Sequence, residues 1–504
     1  MKNCTNSQAK NQAFNPYLPS CEYIPDGEPY VFGERLYIYG SHDMFDGPEY
    51  CHKDYVCWSA HVDDLSDWRY EGVIYKKTQD PMNPQGKHCL YAPDVTKGPD
   101  GRFYLYYGLD RVGITAVAVC DTPAGAYEFL GYVKRADGSI IGKNLEFYQF
   151  DPGIFIDDDG RIFLYTGFAP RPDTRINAGA TGGRPPEAFG SYFFELENDM
   201  LTTKHPEPKP LIPVVGKSQG TGFEGHEYFE ASSMRKINGK YYLVYSSINS
   251  HELCYAVSDR PDGGFEFGGT LVSIGDVYLN GRTIKDAVNY MGNTHGGLVK
   301  VKEQWYIFYH RQTNLHQYSR QACAEKVFIQ PDGSIKQAEI TSCGLNPTPL
   351  AGIGTYEARI ACNLIGKDGC TFYSFNEKSE AGNNPYFTQN APDCEPNSQP
   401  LPKQYIANIS DGATIGFKYF HFIGEGENAP KRLSVTVCGN ATGKFQIFTA
   451  HEKGLPPIAE IEITPSDMQQ TLFANAAFPS GKHALFFTYR GTGSFDFYDF
   501  GFSL

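Results

Sequence analysis

One hairpin pattern recurs five times along the chain and limits the possible folds more than any other feature. In its clearest copy, Glu230 stands at the start of one strand, Asn238-Gly239 makes a turn, and residues 241–245 form an aromatic second strand. An Asn-Gly pair between two such runs is the strongest short-range signal of a β-hairpin. One anchor residue stands ahead of each copy, and successive anchors lie 57 to 79 residues apart: Asp26, Asp94, Asp151, Glu230 and His295.

Weaker strands fill the intervals between the hairpins, for example at residues 55–59 and 115–119. Four-stranded units repeated in this way predict the blades of a β-propeller, and five copies predict a closed ring. Because the anchors hold equivalent positions in their blades, we expect all five to converge on the central channel. The sequence therefore predicts one pocket that contains four carboxylates and one imidazole.

A narrow pocket with several carboxylates separates their pKa values, because neighbouring negative charges disfavour joint ionisation. One protonated and one ionised carboxyl group is the pair that glycoside hydrolysis requires. A cluster of acids also suits a hard cation such as calcium, so both interpretations stay open. The chain lacks the sequence signatures of EF-hands, Walker loops, zinc proteases, α/β-hydrolases and dinucleotide-binding folds.

Several acids compete for these roles. Glu22 and Glu28 flank Asp26, and Glu227 lies near Glu230. The distance between the acid and its turn favours Glu230 over Glu227, because the other copies keep the same offset. For Asp94 a structural role is favoured over a catalytic one.

The chain of 504 residues is too long for one ordinary domain, and its pattern changes at about residue 350. We predict a five-bladed β-propeller over residues 1–345 and a β-sandwich of jelly-roll type over residues 350–504, in the all-β class. Strands of the second unit alternate regularly, with turns about ten residues apart. A Gly- and Pro-rich insertion at 170–190 is predicted to be a loop, either at the mouth of the pocket or elsewhere on the surface.

The net charge of −14 argues against nucleic acid and anionic membranes as partners. No run of eighteen apolar residues is present, so no membrane-spanning helix is expected. Residues 1–8 lack the apolar core of a signal peptide. Thirteen cysteines without CxxC spacing indicate free thiols in a reducing compartment. We therefore predict a cytoplasmic protein.

Five short motifs together resemble glycoside hydrolase family 43 over about residues 20–345. They are Asp26 after a proline, Tyr91-Ala92-Pro93-Asp94, Asp151-Pro152-Gly153, Phe229-Glu230-Ala231 and Asn293-Thr294-His295-Gly296. The family contains five-bladed propellers that act as arabinofuranosidases, xylosidases and arabinanases with inversion of the anomeric centre.

This resemblance implies a role for each matching residue. Asp26 would be the general base, Glu230 the general acid, and Asp151 the carboxylate that raises the pKa of the acid and orients it. Arg320 and Tyr91 would contact the sugar, and His295 would touch an ion or water near the axis. No cofactor would be required, although calcium is possible.

Residues 318–333 resemble those of arabinoxylan arabinofuranohydrolases. The favoured hypothesis is therefore an exo-acting enzyme that removes α-L-arabinofuranosyl groups from xylo- or arabino-oligosaccharides. A β-xylosidase and a non-catalytic sugar-binding propeller are the alternatives. A fructosidase is a third option, but Phe150-Asp151-Pro152 stands where that class has Arg-Asp-Pro.

The C-terminal unit resembles carbohydrate-binding module family 6 at Tyr356-Glu357-Ala358, at residues 408–412 and at residues 495–500. The resemblance implies a structural calcium held by Glu357 and Asp499. Arg359 replaces an expected acidic ligand, and the aromatic residue expected after position 412 is absent. Sugar binding and a packing role are both open for this unit.

Overall fold

The computed structural model describes residues 12–171, 183–374, 377–423, 426, 429–452 and 454–504. The N-terminal residues 1–8 lie outside this part of the chain, as does most of the insertion predicted at 170–190. The expectations for those two segments therefore stay predictions.

Five antiparallel sheets follow one another along the first two thirds of the chain. The first sheet contains β1 (Glu28–Phe32), β2 (Arg35–Tyr39), β3 (Tyr55–His61) and β4 (Asp64–Tyr75). The second contains β5 (Leu90–Lys97), β6 (Phe103–Leu109), β7 (Thr115–Cys120) and β8 (Glu128–Tyr132). The third contains β9 (Gly153–Ile156), β10 (Ile162–Phe168), β11 (Gly190–Leu196) and β12 (Lys209–Pro210). The fourth contains β13 (Tyr228–Ile237), β14 (Lys240–Ser247), β15 (Glu252–Ser258) and β16 (Glu266–Ser273). The fifth contains β17 (Leu298–Val301), β18 (Gln304–Thr313) and β19 (His316–Val327).

These sheets are the blades of the predicted propeller, and the fold class is confirmed. The Asn-Gly hairpin illustrates how the sequence produces a blade. Asn238 and Gly239 have φ angles of 51° and 83°, as a two-residue turn with left-handed central residues requires. The turn pairs Ile237 with Lys240 and fixes the register of β13 on β14. A parallel bridge between Gly27 and Gly296 joins the first blade to the fifth and closes the ring.

The C-terminal strands form one connected sheet. Its strands are β20 (Leu350–Ala351), β21 (Gly354–Glu357), β22 (Asn363–Ile365), β23 (Tyr386–Gln389), β24 (Gln404–Ile409), β25 (Thr414–Phe422), β26 (Arg432–Phe448), β27 (Ala459–Ile463), β28 (Ser466–Asn475) and β29 (Gly481–Ser503). The long strands β26 and β29 pair with each other and with most of the others. Closely packed phenylalanines fill the core, including Phe417, Phe487 and Phe500.

The two units share one apolar core. Residues of the fourth and fifth blades, such as Leu253 and Ile307, belong to the same buried cluster as Phe417 and Phe497 of the C-terminal sheet. A buried ion pair crosses the same boundary, with 3.2 Å between Lys418 Nζ and Asp276 Oδ2. The C-terminal sheet is therefore packed against the propeller over an extensive apolar surface.

Helical structure is confined to short 3-10 turns in the described ranges. These turns are Lys77–Gln79, Pro186–Ala188, Leu279–Gly281, Ile284–Asp286 and Ala358–Ile360. Among the residues that the structure describes, no helix has the length and apolar character needed to cross a bilayer.

Candidate active site

Asp26, Asp151 and Glu230 come together at the centre of the propeller. Their side chains are buried, with residue exposures of 4%, 4% and 7%. Glu230 interacts electrostatically with both Asp151 and Asp26, although the three residues come from three different blades. The structure thus assembles the three carboxyl groups that the repeat pattern predicted.

Local backbone geometry directs these side chains. Asp26 and Asp151 have φ angles of 58° and 47°, each just before an inner strand. Ala231 has a φ of 70°, and the pairing of β13 with β14 is irregular on both sides of Glu230. Such bulges re-aim a side chain, and left-handed backbone outside glycine is uncommon and concentrated at functional sites. The Glu230 side chain therefore departs from the regular alternation of β13 at the point where it lies near Asp26 and Asp151.

Two glycines let the inner strands approach each other. A Cβ atom on Gly153 would lie 2.2 Å from the carbonyl oxygen of Ser232, and one on Gly296 would lie 2.0 Å from that of Phe308. Both distances are far below van der Waals contact. The glycines that follow Asp151 and His295 are thus required for the close packing around the axis.

Arg320 controls the charge of Asp26. Its Nη1 donates a hydrogen bond of 3.0 Å to Asp26 Oδ1. Burial alone raises the pKa of Asp26, but Arg320, together with smaller effects of His310, His295 and Ser41, brings the pKa below its usual value. Asp26 is consequently ionised at neutral pH.

The pKa of Glu230 is shifted in the opposite direction. Burial, reinforced by the negative charge of Asp151, raises its pKa well above the usual value. Burial also raises the pKa of Asp151, although His295 opposes this effect from 3.4 Å away. Burial lowers the pKa of His295, but Asp151, together with Asp26 and Glu28, raises the pKa to about 9. These shifts favour the ionised form of Asp26, the protonated form of Glu230 and a cationic imidazole at His295.

The competing acids have other partners. Glu22 accepts a hydrogen bond of 2.8 Å from Trp58 Nε1, and Glu28 pairs with Arg235 at 3.0 Å. Glu227 accepts hydrogen bonds from Ser218 Oγ and the Gly225 backbone N–H. The structure therefore favours Asp26 and Glu230 over their neighbours in sequence.

Asp94 differs from the other anchors. Its Oδ1 accepts a 2.7 Å hydrogen bond from Tyr30 Oη, and its Oδ2 accepts one of 2.7 Å from the Ile154 backbone N–H. These contacts join the first, second and third blades. The expectation that all five anchors share one pocket is wrong for Asp94, because both of its carboxylate oxygens accept hydrogen bonds from neighbouring blades.

Arg320 lies beside Asp26, and the structure adds two residues that support it. The contact of Arg320 with the sugar stays a prediction. Asp43 accepts hydrogen bonds from Arg320 Nε at 2.9 Å and Nη2 at 3.0 Å, which fixes the guanidinium plane. His310 Nδ1 accepts the Asp26 backbone N–H at 3.2 Å, and its Nε2 faces the Asn293 carbonyl oxygen at 2.8 Å. Burial lowers the pKa of His310 to about 3, so this imidazole is neutral. Neither Asp43 nor His310 occupies a repeated position, and no sequence pattern pointed to them.

Tyr91 belongs to a series of half-buried aromatic rings beside the acids. Its ring centroid lies 5.4 Å from Phe150, which precedes Asp151. Phe168 lies 5.3 Å from Phe150 and 5.2 Å from Phe229, which precedes Glu230. Half-buried rings of this kind suit stacking against the apolar faces of sugars. The sequence analysis identified Tyr91 alone among them.

The two candidate calcium ligands of the C-terminal unit face each other. Glu357 of β21 is the register partner of Asp499 of β29. Each carboxylate already pairs with a cation, Glu357 with Arg359 and Asp499 with Lys403. Calcium takes six to eight oxygen ligands, and two carboxylates beside two cationic side chains do not fit it. His295 likewise fits a protonated imidazole between Asp151 and Glu28 better than an ion ligand.

Comparison with known proteins agrees with this geometry. The model of glycosyl hydrolases family 43 matches residues 24–335. The chain belongs to this family. It is therefore a glycoside hydrolase, as the sequence motifs predicted.

Two relatives and one solved structure represent the family. A xylosidase/arabinosidase of Thermoclostridium stercorarium is 48% identical over 488 residues, which cover 96% of this chain and 98% of that protein. A β-xylosidase of Xylanibacter ruminicola is 30% identical over 344 residues, which cover 58% of this chain and 89% of that protein. A family 43 enzyme of Xanthomonas citri, solved with xylotriose, is 23% identical with a TM-score of 0.50, covering 66% of this chain and 94% of that one. The solved structure supports the fold alone.

Proposed function

We propose that this enzyme is an inverting, exo-acting hydrolase that removes α-L-arabinofuranosyl groups from xylo- or arabino-oligosaccharides. The observation that carries the proposal is that the pKa values of two buried carboxyl groups shift in opposite directions, downward for Asp26 and upward for Glu230. Hydrolysis with inversion needs one group in each state.

In the proposed reaction, Asp26 takes a proton from a water molecule as that water attacks the anomeric carbon. Glu230 donates its proton to the departing glycosidic oxygen, so no alkoxide has to leave. Inversion requires two carboxyl groups about 6.5–9.5 Å apart, which leaves room for the sugar and the water between them. Burial and the negative charge of Asp151 favour the protonated form of Glu230 until the transfer, and Arg320 favours the ionised form of Asp26.

The aromatic series from Tyr91 to Phe229 supports a sugar ligand in this pocket. An exo mode fits the extensive burial of the three acids, because a short terminal group can reach them more easily than the middle of a polymer. The substrates would be oligosaccharides, without a nucleic-acid or membrane partner. We also propose a reducing, cytoplasmic location, since the described cysteines are free thiols and most are buried.

Release of β-D-xylosyl groups is the second candidate activity. It is supported by the relative from Thermoclostridium stercorarium, which is named for both sugars and aligns over nearly the whole chain. The residues that would distinguish the two pentoses are those around Arg320 and Tyr91.

The C-terminal unit, residues 350–504, is proposed to be an accessory domain that supports the catalytic domain of residues 1–345. Hydrogen bonds from the Phe45 backbone N–H to Asp393 and from Lys378 Nζ to Asp46 support this role. Asp46 lies in the same loop as Asp43, the partner of Arg320.

The test is release of nitrophenol from nitrophenyl α-L-arabinofuranoside and nitrophenyl β-D-xylopyranoside, measured in parallel. The Asp26→Asn variant should no longer release the pentose that the wild-type enzyme removes. A faster reaction with the xyloside would retain the mechanism and change the preferred sugar. Absence of release from both substrates by the folded wild-type protein would refute catalysis on these sugars and leave the sugar-binding alternative.

A further inference from the structure

Glu49, His52 and Cys89 form a cluster outside the group of catalytic acids. One ligand atom from each residue lies within 4.8 Å of the other two. His52 Nδ1 is 3.3 Å from Glu49 Oε1. Glu49 and His52 belong to the loop that follows β2, whereas Cys89 comes directly before β5. The cluster thus connects the first and second blades.

The position of the cluster places it beside the sugar pocket. Tyr50, the neighbour of Glu49, lies under the Arg320 guanidinium at 4.9 Å from its ring centroid. Tyr91 lies two residues beyond Cys89. Any ligand that joined Glu49 and Cys89 would therefore link the loop that carries Tyr50 to the strand that carries Tyr91.

The three donor types indicate which ion would bind. A thiolate, an imidazole and a carboxylate are the ligands of zinc, whereas calcium and magnesium select oxygen alone. The side chains of Glu49 and His52 are 42% and 36% exposed, so an ion can reach them from solvent. Cys89 is buried at the base of the cluster. Three protein ligands with one side open to water is the arrangement of a zinc site with a free fourth position.

A second cluster of the same residue types provides a comparison. In the group of His226, Glu252 and Cys254, the Glu252 carboxylate is fully buried and already accepts hydrogen bonds from Ser247, Thr270 and Asn249. A metal ion there would have to displace these bonds. The hydrogen-bond partners described for the Glu49 carboxylate are His52, at 3.3 Å, and Cys89, both members of its own cluster, and its side chain is partly exposed.

We propose that Glu49, His52 and Cys89 bind one zinc-class divalent ion at the rim of the sugar pocket. Binding replaces the Cys89 thiol proton, which is released to solvent, with a sulfur–metal bond. The ion fixes the β2–β3 loop to the start of β5. This site is separate from the chemistry at Asp26 and Glu230, so the proposal does not depend on the proposed substrate.

The test uses full-length protein freed of metal with a chelator and titrated with Zn²⁺ by calorimetry and with Co²⁺ by absorption. Wild-type protein should bind one equivalent of Zn²⁺, and Co²⁺ should produce a sulfur-to-cobalt charge-transfer band. Cys89→Ser should abolish the band. His52→Ala, which replaces a partly exposed side chain, should weaken Zn²⁺ binding by more than the 10- to 100-fold that outer-shell partners typically contribute.

Cys120→Ser is the matched control, because this cysteine lies outside both clusters, and it should bind like the wild type. Cys254→Ser reports on the second cluster and should also leave binding unchanged. A wild-type protein without the charge-transfer band would overturn the proposal. So would unchanged binding by a folded His52→Ala variant, or loss of the band in Cys254→Ser alone.

Discussion

Asp26 and Glu230 are buried to a similar degree, yet their pKa values move in opposite directions. The difference comes from their neighbours, since Arg320 contacts Asp26 at 3.0 Å whereas Asp151 adds a negative charge near Glu230. At the scale of single residues, catalysis therefore depends on groups that need not touch the substrate. The consequences appear in the pH dependence of kcat/KM.

Replacing Asp151 with Asn should lower the pKa of Glu230, because one cause of its elevation is the negative charge of Asp151. The general acid would then lose its proton at lower pH, and the alkaline limb of the pH profile of kcat/KM should move down. Asp137→Asn, an exposed change far from the site, is the control and should leave the limb in place. An alkaline limb that stays in place in Asp151→Asn would contradict the assignment.

Replacing Arg320 with Lys should raise the pKa of Asp26. Lysine retains the positive charge but cannot form the two parallel hydrogen bonds with Asp43 that hold the guanidinium over Asp26. The general base would be protonated at higher pH, so the acidic limb of kcat/KM should move up. The profile is measured with Arg102→Lys as a control on the surface, and an acidic limb that moves down would refute the role of Arg320.

At the scale of structural elements, the irregular pairing around Glu230 sets the direction of the proposed general acid. Ala231 is fully buried with a φ of 70°, a conformation that β-branched residues strongly disfavour. Ala231→Val should lower the free energy of unfolding by about 1–3 kcal/mol and reduce activity, because the bulge would have to rearrange.

Ala231→Gly is the matched control for that change. Glycine adopts positive φ at no steric cost, so this variant should keep its activity and its melting temperature close to the wild type. Chemical denaturation and sugar release are measured on both variants. Full activity in Ala231→Val would show that the bulge does not position Glu230.

The elements differ in how well the sequence predicted them. The hairpin at Asn238-Gly239 could be predicted because its turn chemistry and aromatic strands are local in sequence. The bulge at Glu230 could not, since the pairing partner of the strand sets it. Asp43 was missed for a related reason. It lies 277 residues from Arg320 in the chain, and no repeat or motif connects the two.

At the scale of the whole molecule, the propeller and the C-terminal sheet are joined through a common core and a buried ion pair. The sequence predicted two units from the change of pattern near residue 350, but it did not predict this joint. Lys418 resembles an ordinary surface lysine in sequence, and its partner Asp276 lies 142 residues away. Such pairs become visible only once the chain is folded.

Lys418→Met should lower the free energy of unfolding by about 3–5 kcal/mol, because it leaves the buried Asp276 with only the longer 3.9 Å ion pair to Arg282. Lys444→Met is the matched control. Its ion pair with Glu460 is exposed, so this change should lower the free energy of unfolding by less than about 1 kcal/mol. The measurement is denaturant unfolding of both variants. Equal, small decreases in the free energy of unfolding of the two variants would show that the Lys418–Asp276 ion pair does not hold the two units together.

The assignment of Asp26 as base and Glu230 as acid is tested most directly by changing the leaving group. The substrates are a dinitrophenyl glycoside of the pentose that the enzyme releases faster, whose leaving group needs no proton, and an oligosaccharide ending in the same pentose, whose leaving alcohol does. Glu230→Gln should lower kcat/KM by about 100- to 10,000-fold on the oligosaccharide and far less on the dinitrophenyl glycoside. Asp26→Asn should lower both alike, because water attack is needed in each reaction. Equal losses in Glu230→Gln, or a loss in Asp26→Asn confined to the oligosaccharide, would contradict the assignment.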